Sequence, residues 1–170
     1  MLINLRNALM AGKRLPYDAE VEYLESTGTQ WIDTGIVPSF NTRIEATVQA
    51  LATPTIVSAG ATSNGAIGIT YWGSPLSWAT KFGDVGYTPA QGVARISTSV
   101  IYQLSLDKSN FTVNGTDYPI NATSLSTSSS LRILYDIWNA GLDARVYNLK
   151  IYESATLVRD FIPVRKGTVG

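Results

Sequence analysis

The chain has no cysteine and no histidine among its 170 residues. The first absence excludes disulfides and thiolate nucleophiles. The two together remove the ordinary zinc ligand sets and the base of a Ser-His-Asp triad. No serine sits in a G-x-S-x-G elbow, and no glycine-rich phosphate loop occurs. Charge is scarce as well: 15% of residues are charged, against about 25% in an average domain. Thirteen basic residues balance thirteen acidic ones. With no net field and no basic stripe, nothing draws a polyanion, which argues against nucleic acid as a partner. No apolar run approaches the roughly 20 residues that span a bilayer, so membrane insertion is not expected. The opening MLINLRNALMAGKRLPYD does not read as a signal peptide, because Arg6 and Asn7 interrupt its apolar part and no charged region precedes it.

What remains is an apolar fraction of 45% with polarity supplied by Ser, Thr and Asn rather than by charge. That balance suits a β-rich protein of a crowded extracellular or virion surface, and the length suits one domain with its own core. Residues 1–16 differ from the rest. Leu2, Leu5, Ala8 and Leu9 fall at helical spacing, Gly12 is a C-cap, Lys13 and Arg14 suit the negative end of a helix, and Pro16 stops it. A helix this short is marginal alone, so it needs a partner surface. Either it packs on its own domain or it anchors the chain to another subunit through Leu2, Leu5 and Leu9. The expected organisation is a helical anchoring segment over 1–16 and a β domain over 17–170.

From residue 17 onward the pattern is strands and turns. In TRIEATVQA, Ile44, Ala46, Val48 and Ala50 alternate with polar residues, the period of a half-buried strand. AIGITYW places Ile67, Ile69 and Tyr71 on one face and Trp72 on the other. YQLSLDKSNFTVNGTDYPI reads as strand, turn at 107–110, strand, and an Asn114-Gly115 hairpin turn. LRILYDIW puts Leu131, Ile133, Tyr135 and Ile137 on one face, and VYNLKIYE does the same with Tyr147, Leu149 and Ile151. Many short strands with no long amphipathic helix predict an antiparallel two-sheet sandwich.

Two strings carry more than a pattern. EYLESTGTQWIDTG (residues 22–35) and RVYNLKIYESATLVRDFIPV (residues 145–164) resemble the opening and closing strands of laminin-G-like, concanavalin-A-like jelly-roll modules. Such modules occur in bacteriophage structural proteins and in surface proteins of gut bacteria. The resemblance implies an all-β jelly roll, with no catalytic motif attached. Modules of this kind bind sugars, bind proteins or decorate a particle. Relatives often carry Cys where Val164 stands, and they usually continue past the final Val-Gly, so a further C-terminal segment is expected.

Three kinds of chemistry are candidates. Glu20, Glu22 and Glu25 are similar in spacing to the acidic strand of retaining glucanases, which need two carboxyls about 5.5 Å apart. Here the middle acid is Glu, the motif sits on the first strand, and alternation sets Glu25 on the other face from Glu20 and Glu22, so solvated edge charges are expected. Calcium is a candidate cofactor, because related modules hold it at a sandwich edge, and Asp136, Asn139 and Asp143 fall in one short loop region with suitable oxygens. Aromatic residues offer the best binding surface. A sugar's C–H face packs on an exposed ring while amides and carboxylates bond its hydroxyls. Tyr71, Trp72, Trp78, Asp84 and Tyr87 form one such group and Trp138 with Asn139 another. Trp31, within the opening string, is read as structural. Asn-x-Thr at Asn110, Asn114 and Asn121 is read as turn chemistry.

The expectation is therefore a non-enzymatic virion-surface module, a phage fibre, decoration or adhesion component. It would be attached to other virion proteins through its first residues and would bind bacterial cell-surface or mucosal glycans. A homo-oligomer fits as well, and so does a location on a bacterial cell surface or a secreted state. The alternatives are a purely structural virion protein and a glucan-hydrolysing enzyme.

Overall fold

The computed structural model describes residues 19–26, 30–60, 65–89, 94–135 and 143–165, with the side chains of residues 19, 86–89 and 165 left aside. The expected helix over 1–16 and the boundary after it lie outside the described residues. The strands in chain order are β1 (Ala19–Glu20), β2 (Leu24–Glu25), β3 (Ile32–Asp33), β4 (Thr42–Ala50), β5 (Val57–Ala59), β6 (Ala66–Trp72), β7 (Ser77–Gly83) and β8 (Val85–Pro89). They continue as β9 (Ile101–Leu106), β10 (Asn110–Val113), β11 (Thr116–Pro119), β12 (Arg132–Ile133), β13 (Ala144–Glu153), β14 (Thr156–Phe161) and β15 (Val164–Arg165).

These strands form two antiparallel sheets packed face to face, the all-β sandwich that the periodicity predicts. One sheet runs β11-β10-β9-β4-β13-β14, with β2 also paired to β13. The other runs β3-β12-β5-β6-β7-β8, and β1 pairs with β15 apart from both. In β4 alternation is complete: Ile44, Ala46, Val48 and Ala50 are buried while Arg43, Glu45, Thr47 and Gln49 are half-exposed. The inner faces share one core. It joins Ile44, Leu104 and Leu149 of the first sheet to Ile67, Trp78 and Phe82 of the second, and each such side chain contributes about 1.5–3 kcal/mol by leaving water. Ring contacts cross the gap, Trp78 to Tyr102 at 5.3 Å and Phe40 to Phe82 at 6.2 Å.

The Asn114-Gly115 turn joins β10 to β11 with both residues at positive φ, 49° and 81°, as a two-residue hairpin requires. The 107–110 turn is closed by Asp107, whose Oδ1 accepts the N–H groups of Ser109 (2.7 Å) and Asn110 (2.9 Å). Asn121 also sits at positive φ, 50°. The turn reading of Asn114 and Asn121 thus has backbone geometry behind it.

Two expected faces are corrected. Tyr147 does not share a face with Leu149 and Ile151. The register of β13 against β4 shifts between Val146 and Asn148, and this bulge turns Tyr147 outward, where its hydroxyl bonds Gln49. The strand expected across LRILYDIW stops after Ile133. Leu134 adopts φ 56° and donates its N–H to the Ile56 carbonyl, which breaks the alternation. Tyr135 consequently leaves the Leu131 and Ile133 face. Ile137 lies outside the described residues.

Candidate functional site

The β6–β7 hairpin carries the first group of aromatics expected to bind a ligand, and the structure separates them. Trp78 stands opposite Tyr71 in the pairing and is fully buried in the core against Tyr102. It cannot stack on a sugar, so its assignment to a binding platform is corrected. Gly, Pro and Ser surround it in the sequence and suggest a loop, yet its strand is buried on both faces. Tyr71 is half-buried. Trp72, on the opposite face as alternation predicts, is 51% exposed.

Asp84 is also reassigned. Its Oδ1 accepts the N–H groups of Thr123 (2.9 Å) and Ser124 (3.0 Å), and its Oδ2 accepts the Thr123 hydroxyl. These bonds hold the carboxyl at about 2, below its ordinary 3.8. A carboxylate so occupied fastens the serine- and threonine-rich segment before β12 and has little left for a ligand. The side chain of Tyr87, and Asp136, Trp138 and Asn139 altogether, lie outside the described residues. Of the calcium candidates only Asp143 is described; its carbonyl accepts the N–H of Leu51 at 2.9 Å. No cluster of three metal-ligating side chains occurs among the described residues.

An exposed aromatic group forms instead at the β3 edge of the second sheet. β3 pairs with β12 so that Ile32 faces Ile133 and Asp33 faces Arg132. Because Ile133 points into the core, Asp33 and Arg132 point outward, and Trp31 follows them by alternation. The positive-φ turn at Leu134 then carries Tyr135 over the same outer face, where its carbonyl accepts the Ser58 hydroxyl at 2.6 Å. Trp31 and Tyr135 meet edge to face at 5.6 Å. The Arg132 guanidinium lies 4.9 Å from the Trp31 centroid and 4.7 Å from that of Tyr135, two cation–π contacts that hold it in place.

Asp33 completes the group. The Ser130 hydroxyl, the Gly35 N–H at 2.9 Å and the neighbouring Arg132 keep its carboxyl below the usual carboxylate range. Asp33 Oδ2 stands 3.7 Å from Arg132 Nε, beyond hydrogen-bond reach, and that Nε is buried without a partner, so the pair is loose. Trp31 is 45% exposed. A partly open indole beside one acceptor and one donor is what binding a sugar ring and its hydroxyls demands. Trp31, read from the sequence as structural, does pack on Tyr135 and Arg132 and also presents part of its ring to solvent. A signal for this exists in the order Trp31-Ile32-Asp33, where alternation sets Trp31 and Asp33 on one face.

A second ring and guanidinium group, on the outer face of the first sheet, is closed on itself. Arg145 lies 4.5 Å over Tyr23 and bonds Glu25 at 2.6 Å and Gln49 at 3.3 Å, while Tyr147 packs on Tyr23 and bonds Gln49. Its polar heads are consumed by one another. The expected acidic strand is divided: Glu20 belongs to β1, paired with β15, and Glu25 to β2, paired with β13. Comparison with protein-family models and with curated proteins finds none that matches this chain.

Proposed function

We propose that this chain is a non-enzymatic glycan-binding module that binds through the β3 edge and is carried on the surface of a virus particle. The observation that carries the glycan reading is the half-open Trp31 ring set beside Asp33 and Arg132. The ring offers an apolar plane to the C–H face of a pyranose, Asp33 accepts from its hydroxyls, and Arg132 donates to them. Trp72, exposed on the same sheet's outer side, is a second contact for a longer chain. The absence of catalysis is supported by the division of the acidic residues between two strands and by the engagement of Glu25 with Arg145. The particle location, and attachment through residues 1–16, rest on the resemblance of residues 22–35 and 145–164 to phage modules.

A glycan array probed with the full chain and with Trp31→Ala tests the reading. The parent is expected to retain bacterial-surface or mucosal oligosaccharides, and the variant to bind roughly tenfold more weakly, the scale of one lost ring contact. A blank array for the parent would leave the purely structural role in its place.

A further inference from the structure

At one end of the sandwich a cavity of about 390 Å³ lies among three turns: the approach to β4, the β9–β10 turn and the β13–β14 turn. Small-molecule sites run from about 300 to 1,000 Å³. The turns brace one another. The Ser154 N–H bonds the Asn41 carbonyl at 2.9 Å, and Lys108 Nζ bonds Asn41 Oδ1 at 3.0 Å while lying 4.8 Å over the Phe40 ring. Phe40 in turn packs edge to face on core Phe82. The walls are therefore set before any ligand arrives, which lowers the ordering cost of binding.

A census of the polar atoms gives the ligand's chemistry. Glu153 accepts the hydroxyls of Ser39 and Thr42, Glu45 is held by Arg43 and the Tyr152 hydroxyl, and Asp107 Oδ1 is filled by two backbone N–H groups. Among the described residues, the carboxylate oxygen left open on the cavity lining is Asp107 Oδ2. Donors are in surplus: the remaining N–H groups of Lys108, the Asn41 amide, and the hydroxyls of Ser109 and Ser154. The lining carries two cations, Arg43 and Lys108, and one carboxylate, Asp107, and Arg43 is paired with Glu45, so no strong positive field draws a polyanion. A single carboxylate placed on short directed bonds gains much more.

We infer that this cavity is a second binding site and that it takes a sugar acid, a pyranose bearing one carboxylate. The carboxylate sits on Lys108 and the Asn41 amide, and a ring hydroxyl donates to Asp107 Oδ2. Choosing a sugar acid over other carboxylates rests on the glycan-binding reading; the acid site itself does not. The test is titration of the full chain with glucuronate, glucose and acetate, followed by backbone amide shifts in NMR. Glucuronate is expected to move the Asn41, Lys108 and Ser109 amides and to bind about tenfold tighter than glucose, as one charged hydrogen bond allows. Lys108→Met keeps the apolar stem over Phe40 and removes the charge. Asn41→Asp keeps the oxygen that holds Lys108 and adds a repelling charge. Each should reduce glucuronate affinity about tenfold or more, with melting curves checking the fold. Glucuronate binding no tighter than glucose, or unchanged in both variants, overturns the inference, and acetate binding as tightly overturns the sugar part. If glucuronate fails while the array still shows Trp31-dependent retention, this inference falls alone. Lys108-dependent glucuronate binding beside a blank array upholds the cavity while the Trp31 reading falls.

Discussion

Asp84 takes hold of Thr123 twice, through the backbone N–H and through the hydroxyl, and the adjacent Ser124 N–H joins the same carboxylate. The reverse bond, from the Asp84 N–H to the Ser124 carbonyl at 3.1 Å, closes the contact. The clamp joins the end of β7 to a long segment that otherwise has no strand to hold it.

The clamp makes stability depend on acid. The folded carboxyl titrates near 2 and the unfolded one near 3.8, so the ionised form is favoured by folding. Its contribution is fully present above the unfolded value and is lost as the pH falls from about 4 through 2. Urea midpoints measured across that interval should fall more steeply for the parent than for Asp84→Asn. Parallel curves would show that the clamp does not stabilise the fold.

Gly83, beside the clamp, has φ 57°, and a Cβ there would stand 1.5 Å from the Ser124 carbonyl oxygen. Gly115 also has positive φ, but a Cβ there meets nothing within 4 Å. Gly115→Ala is expected to cost about 1–2 kcal/mol, the conformational penalty alone. Gly83→Ala adds a backbone clash to that penalty and should cost more, with enhanced hydrogen exchange over residues 123–126 as the segment lifts away. Equal losses for the two variants would count against the close approach.

The two tryptophans of the β6–β7 hairpin should separate in a melting experiment. Trp78→Ala removes a fully buried ring and is expected to cost about 3–5 kcal/mol. That lowers the melting temperature by roughly 10 °C, at about 2–4 °C per kcal/mol for a chain of this size. Trp72→Ala should cost clearly less than that, because half of the residue is already in water. Similar losses would place Trp72 in the fold rather than on a surface available to ligand.

Period-two alternation makes β4 legible because it reports a strand with one face inward, and Asn-Gly announces its hairpin through φ. Trp78 escapes that reading because β7 is buried on both faces, which removes alternation as a guide to exposure. Tyr147 and Tyr135 escape it because a bulge and a single positive-φ leucine change the face, and neither carries a glycine or proline to mark it. The Trp31 group joins residues about a hundred positions apart, so its members can be read singly but not as a set. The cavity among the three turns is invisible for the same reason: Lys108 and Asn41 meet only when the turns stack.

Neither the parent nor variants with glutamine at Glu20, Glu22 or Glu25 is expected to hydrolyse glucan, and each variant is expected to keep its fold. Two carboxyls must flank one glycosidic bond at about 5.5 Å for a retaining mechanism, whereas Glu20 and Glu25 sit on strands paired to different partners. Glu25 is further committed to Arg145 at 2.6 Å, an ion pair about one-third exposed on each side. Removing it should cost no more than about 1 kcal/mol, the usual range for pairs open to solvent, and should loosen Arg145 from the Tyr23 ring it covers. Reducing-sugar release from β-glucans, measured for the parent and the three variants beside their urea midpoints, checks both parts. Hydrolysis by the parent that any one of these changes removes would make the chain an enzyme and end the non-catalytic reading.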